Sequence, residues 1–235
     1  MKRIEADPIV KENKGKIKWF KADASNITEM TALFKKFEED KWEMDLAVNN
    51  AGIVGATGPL NETAKYFGGP QDPIHNNLQG TIICLDLEIA LFKKLKKDAA
   101  IVNLASTNGL RAAPGAPMYP TSKFGILGLT RSVGTQYARG TPTIRINAIA
   151  PGFTNTSLVW QQVKCIEGKQ VFDEPYITPD SQAWKDNVQR YLDRCPTGEM
   201  ADPMDQANMI AFLLAEESAL ITGNIFVVDG LISES

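Results

Sequence analysis

Tyr119 and Lys123 stand four residues apart at the head of an apolar-periodic run through Phe124, Ile126, Leu127, Leu129 and Val133. The run predicts a helix, and on a helix residues four apart share one face, a turn apart. A free tyrosine titrates near pH ~10, too high for easy proton exchange at neutrality. A fixed ammonium beside it favours the phenolate and lowers that value, which makes Tyr119 a candidate general acid or base. Ser106 closes the apolar run 100–106, which reads as a buried strand. A hydroxyl at that strand's carboxyl end can hold a carbonyl oxygen while Tyr119 protonates it. Ser106 with Lys123 is also the pair of a Ser–Lys hydrolase, but no oxyanion-hole motif accompanies it.

The elements that must position these groups alternate along the chain. Residues 1–14 read as the tail of a helix and a turn, and residues 17–22 as a strand. Asn26 and Glu29 have the spacing of a capping box for a helix through Leu33, Phe34 and Phe37. A strand follows at 45–49, a long helix through Ile82, Leu85, Ile89, Phe92 and Leu95, and a strand at 144–150. Pro120 suits only the first turn of a helix, so the helix of Tyr119 should begin at about that residue. Asp202 and Pro203 read as a helix start, and 224–228 as a last strand. Strand–helix alternation predicts one α/β domain with a parallel sheet flanked by helices. From 153 to 195 the composition turns polar with scattered aromatics. The glycines between Gly52 and Gly58 lack phosphate-loop spacing, and Pro59 follows where a helix N-terminus would be needed. His75 reads as a polar loop residue.

Ser106, Tyr119 and Lys123, with AsnAsnAlaGly at 49–52 upstream and ProGly at 151–152 downstream, resemble the short-chain dehydrogenase/reductase family. A lone Tyr-x-x-x-Lys is common by chance, whereas four ordered motifs at family spacing are specific. The resemblance covers nearly the whole chain and implies a Rossmann-like doubly wound parallel sheet, with a substrate-covering lid around 153–195. It implies an NAD- or NADP-dependent oxidoreductase moving a hydride between nicotinamide and a secondary alcohol or ketone. Tyr119 would be the acid/base, with Lys123 lowering its pKa and binding the nicotinamide ribose. Ser106 would orient the substrate oxygen, and Asn77, chosen over Asn76 by its Asn-Leu-x-Gly context, would hold a relay water. Asp23, Asn50, Ala51, Gly52, Pro151, Gly152, Thr154 and Thr156 would line the cofactor, together with Tyr119 and Lys123. The two long helices would pair with a second copy, giving a homodimer or homotetramer.

The 235 residues, 43% of them hydrophobic, suit one globular domain with a sizeable core. A net charge of −3 argues against nucleic-acid binding. Three scattered cysteines and one histidine argue against a metal site and for a reducing, cytoplasmic setting. The best apolar run, 82–92, is broken by Asp86 and Glu88, so no membrane span is expected. The family's first unit, strand–Thr-Gly-x-x-x-Gly-x-Gly–helix–strand, is expected to be absent, about 35–40 residues of a typical domain. The strand at 17–22 would then lie roughly 14 Å from its nearest surviving neighbour, unless the sheet rearranged to pair it with the 45–49 strand. The choice between NAD and NADP is made in that unit. Its absence also motivates the alternative of a catalytically silent scaffold or fragment that binds no dinucleotide.

Overall fold

The computed structural model describes residues 17–111, 113, 115–160, 163–166, 169–172 and 182–234. The expected helix tail at 1–14 and parts of the lid lie outside the described residues. Helix α1 (Ile27–Glu39) starts where Asn26 Oδ1 accepts from the amides of Thr28 and Glu29 at 3.0 and 3.2 Å. Two of the amides that every helix start leaves unpaired are thereby satisfied. Glu29 reaches back to the amide of Asp23 at 3.0 Å, so the box closes three residues before the cap. Strands β1 (Leu46–Asn49) and β2 (Ala56–Thr57) follow, and a π-helical segment, Ile74–Gln79, runs straight into α2 (Gly80–Leu95). Next come β3 (Ala99–Leu104), α3 (Met118–Tyr137), β4 (Ile144–Pro151), β5 (Val163–Ile166) and β6 (Lys169–Phe172). Helix α4 (Gln182–Leu192), α5 (Pro203–Leu214) and β7 (Ile225–Val228) complete the order.

The main sheet runs β1-β3-β4-β7, every pair parallel. Its central strand β3 is apolar and buried almost throughout, as a strand covered on both faces must be. Leu85, Ile89 and Phe92 of α2 press on Ala47, Ile101, Ile144 and Ile146 from one side, with Leu129 and Val133 of α3 beside them. Leu213 of α5 packs on Val102 and Ile149 from the other. Arg145 on β4 ties that layer down, donating to the carbonyls of Leu213 at 2.8 Å and Ala215 at 3.0 Å at the end of α5. A second small sheet joins the lid to the body: β5 pairs parallel with β2 and antiparallel with β6.

One expectation needs correcting. Residues 17–22 form no strand, either in the expected place or against β1. Phe20 instead meets Phe37 of α1 edge-on at 5.5 Å and Trp42 at 6.3 Å, and the Lys18 amine lies 4.4 Å over the Trp42 ring. Aromatic packing holds this segment beside α1, and β1 is the outer strand of the main sheet, with Leu46 and Val48 half-exposed. Helix α3 begins at Met118, one residue early, because Pro117 takes the cap position. Beyond β7, Leu231 adopts a left-handed φ of 69°. Asp229 holds that turn by accepting from the amides of Leu231 and Ser233 at 2.9 and 2.8 Å, which offsets a strain of about 1 kcal/mol.

A buried polar chain pins both long helices to the sheet. Asn49 Nδ2 donates to Glu88 on α2 at 3.1 Å and to Asn103 on β3 at 3.0 Å, and Asn103 donates to Thr130 on α3 at 3.0 Å. Burial pushes the Glu88 carboxyl up to about 7, against the smaller opposite pull of Asn49. A raised folded-state value means that the folded chain keeps a proton the unfolded chain releases between about pH 4.5 and 7. Stability from this group is therefore present at the acid end of that window and lost as pH rises through it. Urea denaturation should show wild type falling below Glu88→Gln by a further ~3 kcal/mol between about pH 4.5 and 7.5, the variant lacking that slope. A pH-independent difference would show that Glu88 does not titrate there.

Candidate active site

In a parallel sheet the carboxyl ends of the strands share one edge, and ligands bind there. The segments after β1, β3 and β4 all leave along that edge. Ser106 follows β3, caps the 3-10 turn Thr107–Gly109, and accepts from the amide of Asn108 at 3.1 Å. Its hydroxyl faces the phenol of Tyr119, in the first turn of α3, and acts to lower that phenol's pKa. Lys123, one turn further, is buried, with its amine donating to the Leu104 carbonyl at 2.8 Å and lying 5.7 Å from the centre of the Tyr119 ring. Burial pushes that amine down to about 8.

The expected lowering of Tyr119 is not what this geometry produces. Burial raises the phenol above its ordinary value, and the Ser106 hydrogen bond offsets only part of the rise. The physical reason is direction: the ammonium points to a backbone carbonyl, so desolvation of the phenolate outweighs any charge attraction.

Asn77 is wholly buried in the π-helical segment, where the wider turn swings its side chain inward. Its Oδ1 accepts from the amide of Ile53 at 2.8 Å, while Nδ2 donates to the carbonyl of Ile53 at 2.9 Å and to Ser122 Oγ at 3.1 Å. Ser122 in turn donates to the carbonyl of Tyr119 at 2.7 Å. Asn76 faces the other way and binds the carbonyls of Pro70 and Asp72. Asn50, Ala51 and Gly52 form the exposed turn between β1 and Ile53. A Cβ on Gly52 would stand 3.2 Å from Asn77 Oδ1 and 3.6 Å from the Lys123 amine, so bare backbone faces the cluster there.

Pro151 ends β4, and the amide of Gly152 donates to the Val228 carbonyl at 3.1 Å. Thr154 is buried and bridges to Ala201, its hydroxyl donating to the Gly152 carbonyl at 3.3 Å; Thr156 donates to the Thr154 carbonyl at 3.4 Å. Asp23 sits exposed before α1, its carboxyl held below the usual range by the hydroxyl and amide of Ser25, with His75 a smaller influence. The structure therefore gathers Asn77, Ser106, Tyr119, Lys123 and Gly52 in one cluster. It sets Pro151 to Thr156 on the adjacent strand end and leaves Asp23 at the periphery. The segment 52–58 forms β2, with left-handed glycines at 55 and 58. A larger cleft, about 590 Å³, opens between α5 and residues 228–230 and includes none of the cluster.

A family model described as short chain dehydrogenase matches residues 4–165. The chain belongs to the short-chain dehydrogenase family. It is 33% identical over 224 residues to a 3beta-hydroxysteroid dehydrogenase of Mediterraneibacter gnavus, covering 94% of this chain and 78% of that protein. A 3alpha-hydroxysteroid dehydrogenase of the same organism is 29% identical over 205 residues, covering 87% and 71%. Among solved structures, a short chain dehydrogenase of Leptospira borgpetersenii with bound NAD+ superposes with a TM-score of 0.75 at 25% identity, covering 92% of this chain and 75% of that one. With these relatives, the short-chain dehydrogenase described here is an oxidoreductase.

Sequence reasoning missed several supporting residues of this short-chain dehydrogenase. Glu88 was noted only as a break in an apolar run; Asp86 and Glu88, two apart on a helix, cannot share a face, so one had to point inward. Ser122 carried no signal. Gln206, on α5, is buried and donates to the Val228 carbonyl at 3.0 Å and to Thr154 Oγ1 at 3.4 Å, while its Oε1 lacks a partner among the described residues. That orphan acceptor and the bare Gly52 backbone fit a site that a polar, hydroxyl-bearing ligand completes. Asn77→Ala would leave both backbone groups of Ile53 unpaired, and urea denaturation should show a loss of about 2–4 kcal/mol. A loss below about 0.5 kcal/mol would mean that this amide holds nothing in place.

Proposed function

We propose that this chain is an NAD- or NADP-dependent dehydrogenase that interconverts a secondary alcohol and its ketone. The observation that carries the proposal is the convergence of the Ser106 hydroxyl, the Tyr119 phenol and the buried Lys123 amine, which lies 5.7 Å from the centre of the Tyr119 ring. The two hydroxysteroid dehydrogenase relatives support a cyclic secondary alcohol as substrate.

When bound, the nicotinamide supplies or takes the hydride. Lys123 and Tyr119 would hold its ribose, Pro151, Gly152, Thr154 and Thr156 its carboxamide side, and Asn50, Ala51, Gly52 and Asp23 the adenosine side. Ser106 donates to the substrate oxygen and fixes it beside the phenol. Tyr119 gives that oxygen a proton in reduction and takes one in oxidation. Lys123, with its amine down near 8, holds a charge that a ribose hydroxyl would draw away from the Leu104 carbonyl toward the phenol, reversing the rise that burial alone causes. Asn77 keeps the 50–53 turn and the first turn of α3 in register while protons move. Half-exposed Ile82 on α2 and Phe124 on α3 support pairing of these helices with a second copy, as a homodimer or homotetramer.

A silent scaffold is the rival reading, favoured by the Lys123 amine already being held by a carbonyl. Fluorescence titration with NADH and with NADPH decides between the two. Saturable binding of either, with Tyr119→Phe lowering kcat/KM by about 10²–10⁴ at unchanged dinucleotide Kd, is expected of the enzyme. A folded chain that binds neither dinucleotide supports the scaffold.

A further inference from the structure

The lid returns to the body at Tyr191, in the last turn of α4. Its ring stacks on Phe153 with centroids 4.4 Å apart and planes at 27°. Its hydroxyl accepts from the amide of Phe153 at 3.1 Å and donates to the carbonyl of Asp229 at 3.4 Å, with the Cys195 thiol beside it. One phenol thus touches the ends of β4 and β7 and the root of the lid. Burial pushes that phenol up to about 12, so it stays a neutral donor and acceptor.

Three backbone groups of the loop after β4 go to fixed places in the body. The amide of Gly152 donates to Val228 at 3.1 Å, the carbonyl of Phe153 accepts from Ala201 at 3.1 Å, and the amide of Asn155 donates to Ala201 at 3.0 Å. The amide of Phe153 goes to the lid. Nor can the loop retreat toward β7: a Cβ on Gly152 would lie 2.6 Å from Asp229 Cβ and 2.7 Å from its Cα, so that side is closed. A shift of α4 would move the Tyr191 ring against Phe153, on which it stacks. Strand β5 of the lid also pairs with β2 of the body.

We propose that Tyr191 is a positioning residue that couples the placement of the lid helix to the backbone of residues 152–156. What that loop binds rests on the function proposed above; the coupling itself rests on the contacts of Tyr191. Order in the lid over a substrate and order in the loop beside the nicotinamide are then one equilibrium, and ligand binding at either element tightens the other.

Tyr191→Phe keeps the stack and removes both hydroxyl bonds, and Tyr191→Ala removes all three contacts. Amide hydrogen exchange of the full chain, with and without NADH or NADPH, gives a readout that needs no turnover. In Tyr191→Phe the Phe153 amide and the amides of α4 should exchange together about tenfold faster, with β3 unchanged. In Tyr191→Ala, added dinucleotide should no longer slow exchange in α4. In both variants KM should rise about three- to tenfold at nearly constant kcat, which a merely structural loss would not produce. Wild-type exchange at 152–156 in Tyr191→Phe, or acceleration confined to α4, overturns the coupling. If wild type responds to neither dinucleotide, the functional reading falls, while the paired exchange change in Tyr191→Phe still decides the coupling.

Discussion

The site depends on one buried amide side chain meeting both backbone polar groups of one residue. Asn77 accepts from the Ile53 amide and donates to the Ile53 carbonyl, so a loop residue that would otherwise bury unpaired backbone is matched as a strand would match it. The same amide donates to Ser122, which holds the carbonyl of Tyr119. Through this chain the turn after β1, the π-helical segment and the first turn of α3 share one frame. The π-helical turn is part of that arrangement, because it aims Asn77 inward and sends Asn76 to the loop beside it.

Two ionisable groups of opposite sign are buried in the layers around the sheet, each held by neutral dipoles. Glu88 accepts a hydrogen bond from the side-chain amide of Asn49, and Lys123 donates one to a backbone carbonyl. Desolvation moves both toward their neutral forms, the carboxyl to about 7 and the amine to about 8. The cation therefore lies near its titration point beside a phenol that burial has made reluctant to ionise. Small changes in the partners of Lys123 are enough to shift proton affinity across the cluster, the condition an acid–base site requires.

Around this rigid frame the strand-end segments are tied less uniformly. The loop after β4 has long side-chain bonds at Thr154 and Thr156 and an orphan acceptor at Gln206. It is fixed from below by β7 and from above by the lid through Tyr191. A stiff cluster beside an incompletely satisfied loop suits the proposed division between chemistry at the first and binding at the second.

The strands at 45–49, 100–106 and 144–150, both long helices and the Tyr119–Lys123 spacing were legible in the sequence, because each is set by local periodicity or by spacing along one element, whereas Asn77 and the grouping with Ser106 came only from the family resemblance. The absence of a strand at 17–22 was not legible: alternation states what a segment could pair with, and whether an aromatic cluster with Phe37 and Trp42 competes is settled only in three dimensions. The direction of the Lys123 amine, the inward turn of Glu88, and the meeting of Tyr191 with Phe153 across 38 residues likewise belong to the tertiary structure. Residue type and spacing determine which groups can do chemistry; the partners and burial that set each proton affinity come from segments distant in sequence, and only the packed fold brings those together.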